Sequence, residues 1–290
     1  MCIKKLAVLL AFGAGGALPG ICYSDTILTP SLSGFTVLSV NGGDLILNQG
    51  DVNGTVGLGP NSTASALQKS TVTGQLIVDP SATFDTSNFA TDFHLLGGVV
   101  TQSLATAQSD ANALNSSYGA LVAPAGHTFG VLDASTTFTG VAGQNVYSIG
   151  EVDFNSDVLT ISGPSTSQFI INITGGFTFA DSQIVLTGGV TRDNVLFNFP
   201  GGSTDKAIGI DVFKATNVIQ GIFLAPHRSV IFKDPGSVYD VQIIGQDLLI
   251  HSGAEINGPP PGVPLPAALW GGMALMGGLV VAKVHKGVRQ

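Results

Sequence analysis

Between residues 169 and 244 the chain states one phrase four times: Phe169-Ile-Ile-Asn-Ile173, Val195-Leu-Phe-Asn-Phe199, Ile219-Gln-Gly-Ile-Phe223 and Val241-Gln-Ile-Ile244. The starts stand 26, 24 and 22 residues apart. Secondary runs fall between them: Gln183-Ile-Val-Leu186, Ala207-Ile-Gly-Ile210, Ser229-Val-Ile-Phe232 and Asp247-Leu-Leu-Ile250. Short runs rich in Ile, Val and Phe, bounded by Gly, Asn and Asp, read as strands. Several strands within each period of 20 to 30 residues suggest the stacked coils of a β-solenoid, in which each coil buries its apolar residues against the coils above and below. A β-sandwich would use similar strands without the repeat, so the solenoid is preferred.

Working outward, residues 35–84 show the same style. Phe35 to Val40, Asp44 to Leu47, Val52 to Leu58 and Gln75 to Val78 are short apolar runs, and Asn41-Gly42 and Asn53-Gly54 are strong turn dipeptides. One stretch departs from it. From Thr101 to Ser117 the apolar positions Leu104, Ala107, Ala111, Leu114 and Tyr118 alternate three and four apart, which is one face of a helix, and Gly119 is a natural stop. Its stripe is small-sided, so it should lie close against a sheet face. The expected fold is therefore mainly β, a β-solenoid with one packed α-helix.

Both ends read as targeting segments. Lys4 and Lys5 precede the apolar run Leu6 to Phe12, with small residues to Leu18 and a break at Pro19-Gly20, the pattern of a signal peptide over residues 1–24. Cys22 would suit a lipid anchor, but Ile21 stands before it where a small residue is normal, so ordinary cleavage near Ser24 is the expectation. At the other end, Pro259-Pro-Pro261 and Val263-Pro-Leu-Pro-Ala267 form a spacer and motif over 258–264 and beyond. Residues 265–282 are apolar, just long enough for a transmembrane helix, and Lys283, Lys286 and Arg289 make a basic tail over 283–290 that the positive-inside rule keeps in the cytoplasm. Cys2 and Cys22 both fall in the signal region, so the remaining domain, 25–257, is expected to hold together without disulfides.

The ordered set of motif, apolar stretch and basic tail resembles the PEP-CTERM sorting signals of Gram-negative bacteria, in the variant that reads Val263, Pro264, Leu265, Pro266, Ala267, with Leu265 where the namesake motif has Glu. That resemblance implies recognition by an exosortase-like membrane enzyme, a membrane-anchored precursor, and association with exopolysaccharide. A second resemblance is to the choice-of-anchor A domains of bacterial surface proteins, carried by Asn41-Gly-Gly-Asp-Leu-Ile-Leu47 with Asp51 to Val56, by Gly221-Ile-Phe-Leu-Ala-Pro226, and by Val241 to Ile250. It implies a surface domain with no catalytic residues. Gly-rich coils with a single helix are also similar to bacterial ice-binding β-solenoids.

Composition excludes some classes. Of 290 residues only 10% are charged and 44% are apolar, against about 25% charged in average soluble proteins. Most of the chain is thus unlike a disordered one. All 19 acidic residues lie between Asp25 and Glu255, where only Lys69, Arg192, Lys206, Lys214, Arg228 and Lys233 oppose them, so a nucleic-acid partner is excluded.

Catalytic signatures are missing. There is no Gly-x-Ser-x-Gly elbow, P-loop or dinucleotide fingerprint, and His94, His127, His227, His251 and His285 have no metal-ligand spacing. No catalytic, cofactor or metal residues are expected. Glu151, Asp153 and Asp157 form the densest acidic group; a solvated strand edge is the simpler reading and a Ca²⁺ site the alternative. Thr71 with Thr73, and Thr137 with Thr139, alternate as an ice-facing strand would, but they show no recurrence at the coil period and the array reads as incomplete. The leading expectation is a non-enzymatic protein exported to the cell surface, outer membrane or extracellular matrix, structural or adhesive in role. The alternatives are an ice- or carbohydrate-binding module and a carbohydrate-active solenoid enzyme using Asp153.

Overall fold

The protein, seen in a computed structural model, is described over residues 26–84, 92–201, 208–211, 219–233, 238–251 and 253–258. The signal segment 1–24, the motif Val263–Ala267, the apolar stretch 265–282 and the basic tail lie outside the described residues. Among the described residues no helix is long and apolar enough to cross a membrane.

The strands stack as a parallel β-solenoid of about eight turns, which settles the choice against a sandwich. Each turn has up to three short strands and therefore three faces. The first turn of the chain shows the plan: Val37–Ser39, then Asp44–Asn48, then Asp51–Asn53. The next turn repeats it with Val56–Leu58, Thr63–Gln68 and Thr71–Val72, each paired in parallel on the strand above. The corners are built from residues with a left-handed backbone. Asn41 and Asn61 occupy one corner in successive turns and Gln49 and Lys69 another. Asn accepts this conformation at little cost. At a third corner Gly54, Gly74 and Gly97 stack directly, and a Cβ on either of the lower two would run into the glycine above it.

The turns are not stacked in chain order. Residues 37–101 build the lower part. The helix Ala105–Gly119 then carries the chain up the outside of the solenoid, and residues 128–258 build the upper turns downward until the last turn lands on the first. There Ile243–Gly245 pairs with Val37–Ser39, Leu248–His251 with Leu45–Asn48, and Glu255–Asn257 with Asp51–Asn53. The result is one unbroken column on the first face, Val100–Ile77–Gly57–Leu38–Ile244–Leu224–Asn198–Asn172–Ser148–Thr128.

The four repeated phrases all lie on this first face, which we call the covered face. A parallel strand buried on both sides has no polar alternation, and Val195–Asn198 is buried at every position. Inward side chains join the central core, where Phe177, Phe197, Phe199 and Phe223 pack with centroids 5.0–6.2 Å apart. Outward side chains Ile170, Leu196, Ile222, Leu224, Ile244 and Leu38 form a second cluster with the helix and with Ile27, Leu28, Leu32 and Phe35. The secondary runs divide between the other two faces and alternate buried and partly exposed, as in Val230–Lys233 and Leu248–His251 on the second face.

The helix sits where the small-sided stripe requires. Leu104, Ala107 and Ala111 are buried, and Leu114 and Tyr118 pack at the edge of the same cluster. It has no local N-cap side chain. Instead Asp79, from an earlier turn, accepts a hydrogen bond from Leu104 N at 2.7 Å. At its other end a buried amide chain ties it down. Asn115 Nδ2 donates to Asn198 Oδ1 at 2.7 Å, Asn198 Nδ2 donates to Asn172 Oδ1 at 2.7 Å, and Asn172 Nδ2 donates to Tyr118 O at 2.8 Å. Arg228, 2% exposed, fastens a corner in a similar way. Its Nη1 and Nη2 donate to the carbonyls of Gly175 (2.6 Å) and Thr174 (2.9 Å) two turns away, with its guanidinium 5.7 Å from the Phe199 ring, and burial holds its pKa below the usual value.

Candidate ligand-binding face

The helix and residues 27–35 occupy the covered face, so an extended ligand must use the other two. The third face of the upper turns is a small parallel sheet of its own: Thr136–Thr139, Val158–Ser162 and Gln183–Thr187. Period-two alternation sorts its side chains. Phe138, Leu159, Ile161 and Ile184 point inward and are buried. Thr137, Thr160 and Val185 form one outward column, and Thr139, Ser162 and Thr187 form the next.

Strand geometry spaces these groups by about 4.8 Å across the sheet and about 6.8 Å along it. Among the described residues no hydrogen bond ties any of these five hydroxyls to another protein group, which leaves them to an external partner. The surface presents short, stiff, mostly hydroxyl-bearing side chains in two ranks.

This array corrects the expectation that the Thr137 and Thr139 pattern fails to recur. It recurs after 23 residues and again after 25. The turns differ in length because their corners do, so no fixed period exposes it. Thr71 belongs elsewhere, on the lower part of the third face, where its backbone N–H donates to Asp51 Oδ1 at 2.6 Å.

That lower part is chemically different. Asn53 Nδ2 donates to Glu255 Oε1 and Asn257 Oδ1 at 2.6 and 2.8 Å, and Arg192 pairs with Asp240 at 2.6 Å. Its polar groups are spent on one another.

The acidic trio does not form a metal centre. Glu151 and Asp153 are exposed on the strand Gly143–Asn155, while Asp157 accepts hydrogen bonds from Ser135 N and Oγ, both at 3.0 Å, and from Asn155 N. Asp157 is thus a corner tie between turns. Among the described residues no group of three or more His, Cys, Asp or Glu could hold a metal ion. The histidines stand apart: His94 is exposed on the strand His94–Leu95, His127 stacks on Tyr147 at 4.1 Å, His227 lies 3.4 Å from Asn41 Nδ2, and His251 is on the second face. Among the described residues no Phe or Tyr ring is fully exposed.

With this geometry in view, the comparisons with known proteins are informative. The family described as "Putative Ice-binding-like adhesive domain" matches residues 14–258. The chain belongs to this family. The solved structures most usefully set beside the ice-binding-like adhesive domain are ice-binding proteins. One from an Antarctic biological consortium is 15% identical, with a TM-score of 0.53 over 86% of this chain and 96% of that one. One from an Arctic yeast is 20% identical, with a TM-score of 0.56 over 83% and 97%. One from Shewanella frigidimarina is 13% identical, with a TM-score of 0.50 over 80% and 96%. At such identities the likeness is one of fold. No curated protein matches the chain. The family match to the adhesive domain ends at Gly258, so the motif Val263–Ala267 falls outside it.

Proposed function

We propose that this chain is an exported, non-enzymatic adhesive protein that binds its target through the upper third face. The carrying observation is the register of Thr137, Thr160, Thr139, Ser162 and Thr187, five hydroxyls in two ranks on a parallel sheet with no protein partner among the described residues. A periodic, uncharged surface of this kind suits a periodic, hydroxyl-rich target such as exopolysaccharide. Membership of an ice-binding-like adhesive family supports the reading.

The terminal segments supply the routing in this proposal. Residues 1–24 act as the signal peptide, 25–257 as the displayed module, 258–264 as the spacer opening the sorting motif, 265–282 as a transient membrane anchor and 283–290 as the cytoplasmic stop. An exosortase-like enzyme recognises Val263–Ala267, which yields a surface-bound or released product. Deleting residues 263–290 is expected to change both the location and the mass of the product in cell fractions; an unchanged distribution defeats the routing. The adhesive face is tested with Thr137→Lys/Thr160→Lys. Retention on immobilised matrix polysaccharide should fall at least tenfold with the thermal midpoint preserved, and retention equal to wild type rules out this face.

Direct capture of ice is a second reading, favoured by the similarity in fold to ice-binding proteins and by the regular spacing of the same array. Thermal hysteresis that disappears in the same double variant would establish it. The carbohydrate-active alternative is not proposed: Asp153 stands exposed on an open strand, opposite Thr178 in the next turn.

A further inference from the structure

Among the described residues both ends of the stack are left without a further strand. At the lower end Val99–Thr101 pairs with Leu76–Val78 above and, among the described residues, with nothing below. Val99 continues the column of Val37, Val56 and Leu76, all buried and directed at the core, yet it is 49% exposed, and Leu96 beside it is 70% exposed. At the upper end, among the described residues, Thr128–Leu132 pairs only with Gly143–Asn155, and Thr136–Thr139 only with Val158–Ser162. There the inward Phe129, in register with the buried Ile149, is only partly buried, and Val131 on the outer side of the same strand is 54% exposed. Each end thus leaves a core-directed side chain incompletely covered, Val99 below and Phe129 above.

The molecule already contains a joint of the kind these ends can make. The last turn, 238–257, rests on the first, 37–53, through three parallel strand pairs between segments remote in the chain. Turns of this protein thus stack in register without needing a covalent connection.

We infer that the partner of each end is the opposite end of a second copy, so that molecules join head to tail and their sheets run on from one to the next. The register follows from the column that begins at Thr128 and finishes at Val100. One further step places Thr128 of the next copy directly below Val100, and His127 of that copy below the half-exposed Val99. Both edges carry parallel strands of the same direction, so simple translation along the axis satisfies their free N–H and C=O groups. The contact uses two different surfaces and therefore does not close on itself; it propagates as a filament. A single turn is a small surface beside the ~800 Å² per partner of a stable complex, so assembly belongs to the crowded conditions of a surface or matrix. This inference does not depend on which ligand the third face binds.

Cysteine trapping in the full chain with Cys2→Ser and Cys22→Ser tests it. The pair Val100→Cys/Thr128→Cys is expected to give a reductant-sensitive ladder of dimers, trimers and longer species under mild oxidation. Within one molecule these positions are nine strand spacings apart, about 43 Å, too far for an internal disulfide. Each single variant should give at most a trace of dimer, and Val100→Cys/Thr160→Cys, with one thiol away from the ends, should give no ladder. Far-UV circular dichroism melts matching the parent confirm that the variants are folded. Three results would overturn the inference: a folded double variant that stays monomeric, which includes the case where the chain's own residues close the ends; single variants that dimerise as well as the pair; or an equal ladder from the control pair.

Discussion

The covered face and the third face are made by the same turns and the same strand spacing, and they use sequence in opposite ways. On the covered face both sides of each strand are buried, so Ser167–Ile173 and Ile219–Ala225 are each buried at all but one position and errors there open the core. On the upper third face only alternate residues are buried, and most of the remainder carry short hydroxyls on the outer side. Stability therefore concentrates on one side of the solenoid, and recognition on a side that can change with little effect on folding.

Substitutions that break this contrast should be ordered accordingly. Phe223 touches the rings of Phe177, Phe197, Phe199 and Phe232. Phe223→Ala is expected to cost about 3–5 kcal/mol, measured by urea unfolding, as a large cavity opened in a packed core does. Asn198→Ala should cost about 1–3 kcal/mol in the same experiment, because it leaves the buried Asn172 Oδ1 without its donor and removes one acceptor of the Asn115 amide, which keeps the carbonyls of Phe199 and Leu224. It should also raise hydrogen exchange in the helix Ala105–Gly119 more than in the third-face strands.

Asp79 sharpens the comparison through pH. Burial pushes its carboxyl up, but hydrogen bonds from Leu104 N, from Ser81 N and Oγ, and from Ser103 outweigh that, so its pKa lies below the ordinary value. A pKa lower in the folded state gives stability that is present above the unfolded value of about 4 and is lost as pH falls through the folded one. Between pH 5 and pH 2 the thermal midpoint of the wild type should fall more steeply than that of Asp79→Asn. Parallel curves would remove Asp79 from the account. The smallest stability effect is expected on the third face itself: Thr160→Lys should change the unfolding free energy by no more than about 0.5 kcal/mol.

The covered face was readable in the sequence because double burial removes the apolar–polar alternation and leaves phrases such as Phe169–Ile173 standing out. The helix was readable because Leu104, Ala107 and Ala111 keep its period. The third-face array was not, since hydroxyls carry no hydrophobic signal and corners of unequal length shift Thr137, Thr160 and Val185 out of any constant repeat. The order of stacking was equally hidden. Pairing of Val37 with Ile243 leaves no local trace, and the partner of the helix N-terminus, Asp79, is remote from it in the chain.

The closing strand Glu255–Asn257 lies against Asp51–Asn53, midway along the stack rather than at either tip. Whatever continues the polypeptide past Gly258 therefore holds the rod by its waist. A load on that leash is borne first by the seam between the last turn and the first, while both tips and the hydroxyl ranks stay clear of the attachment point.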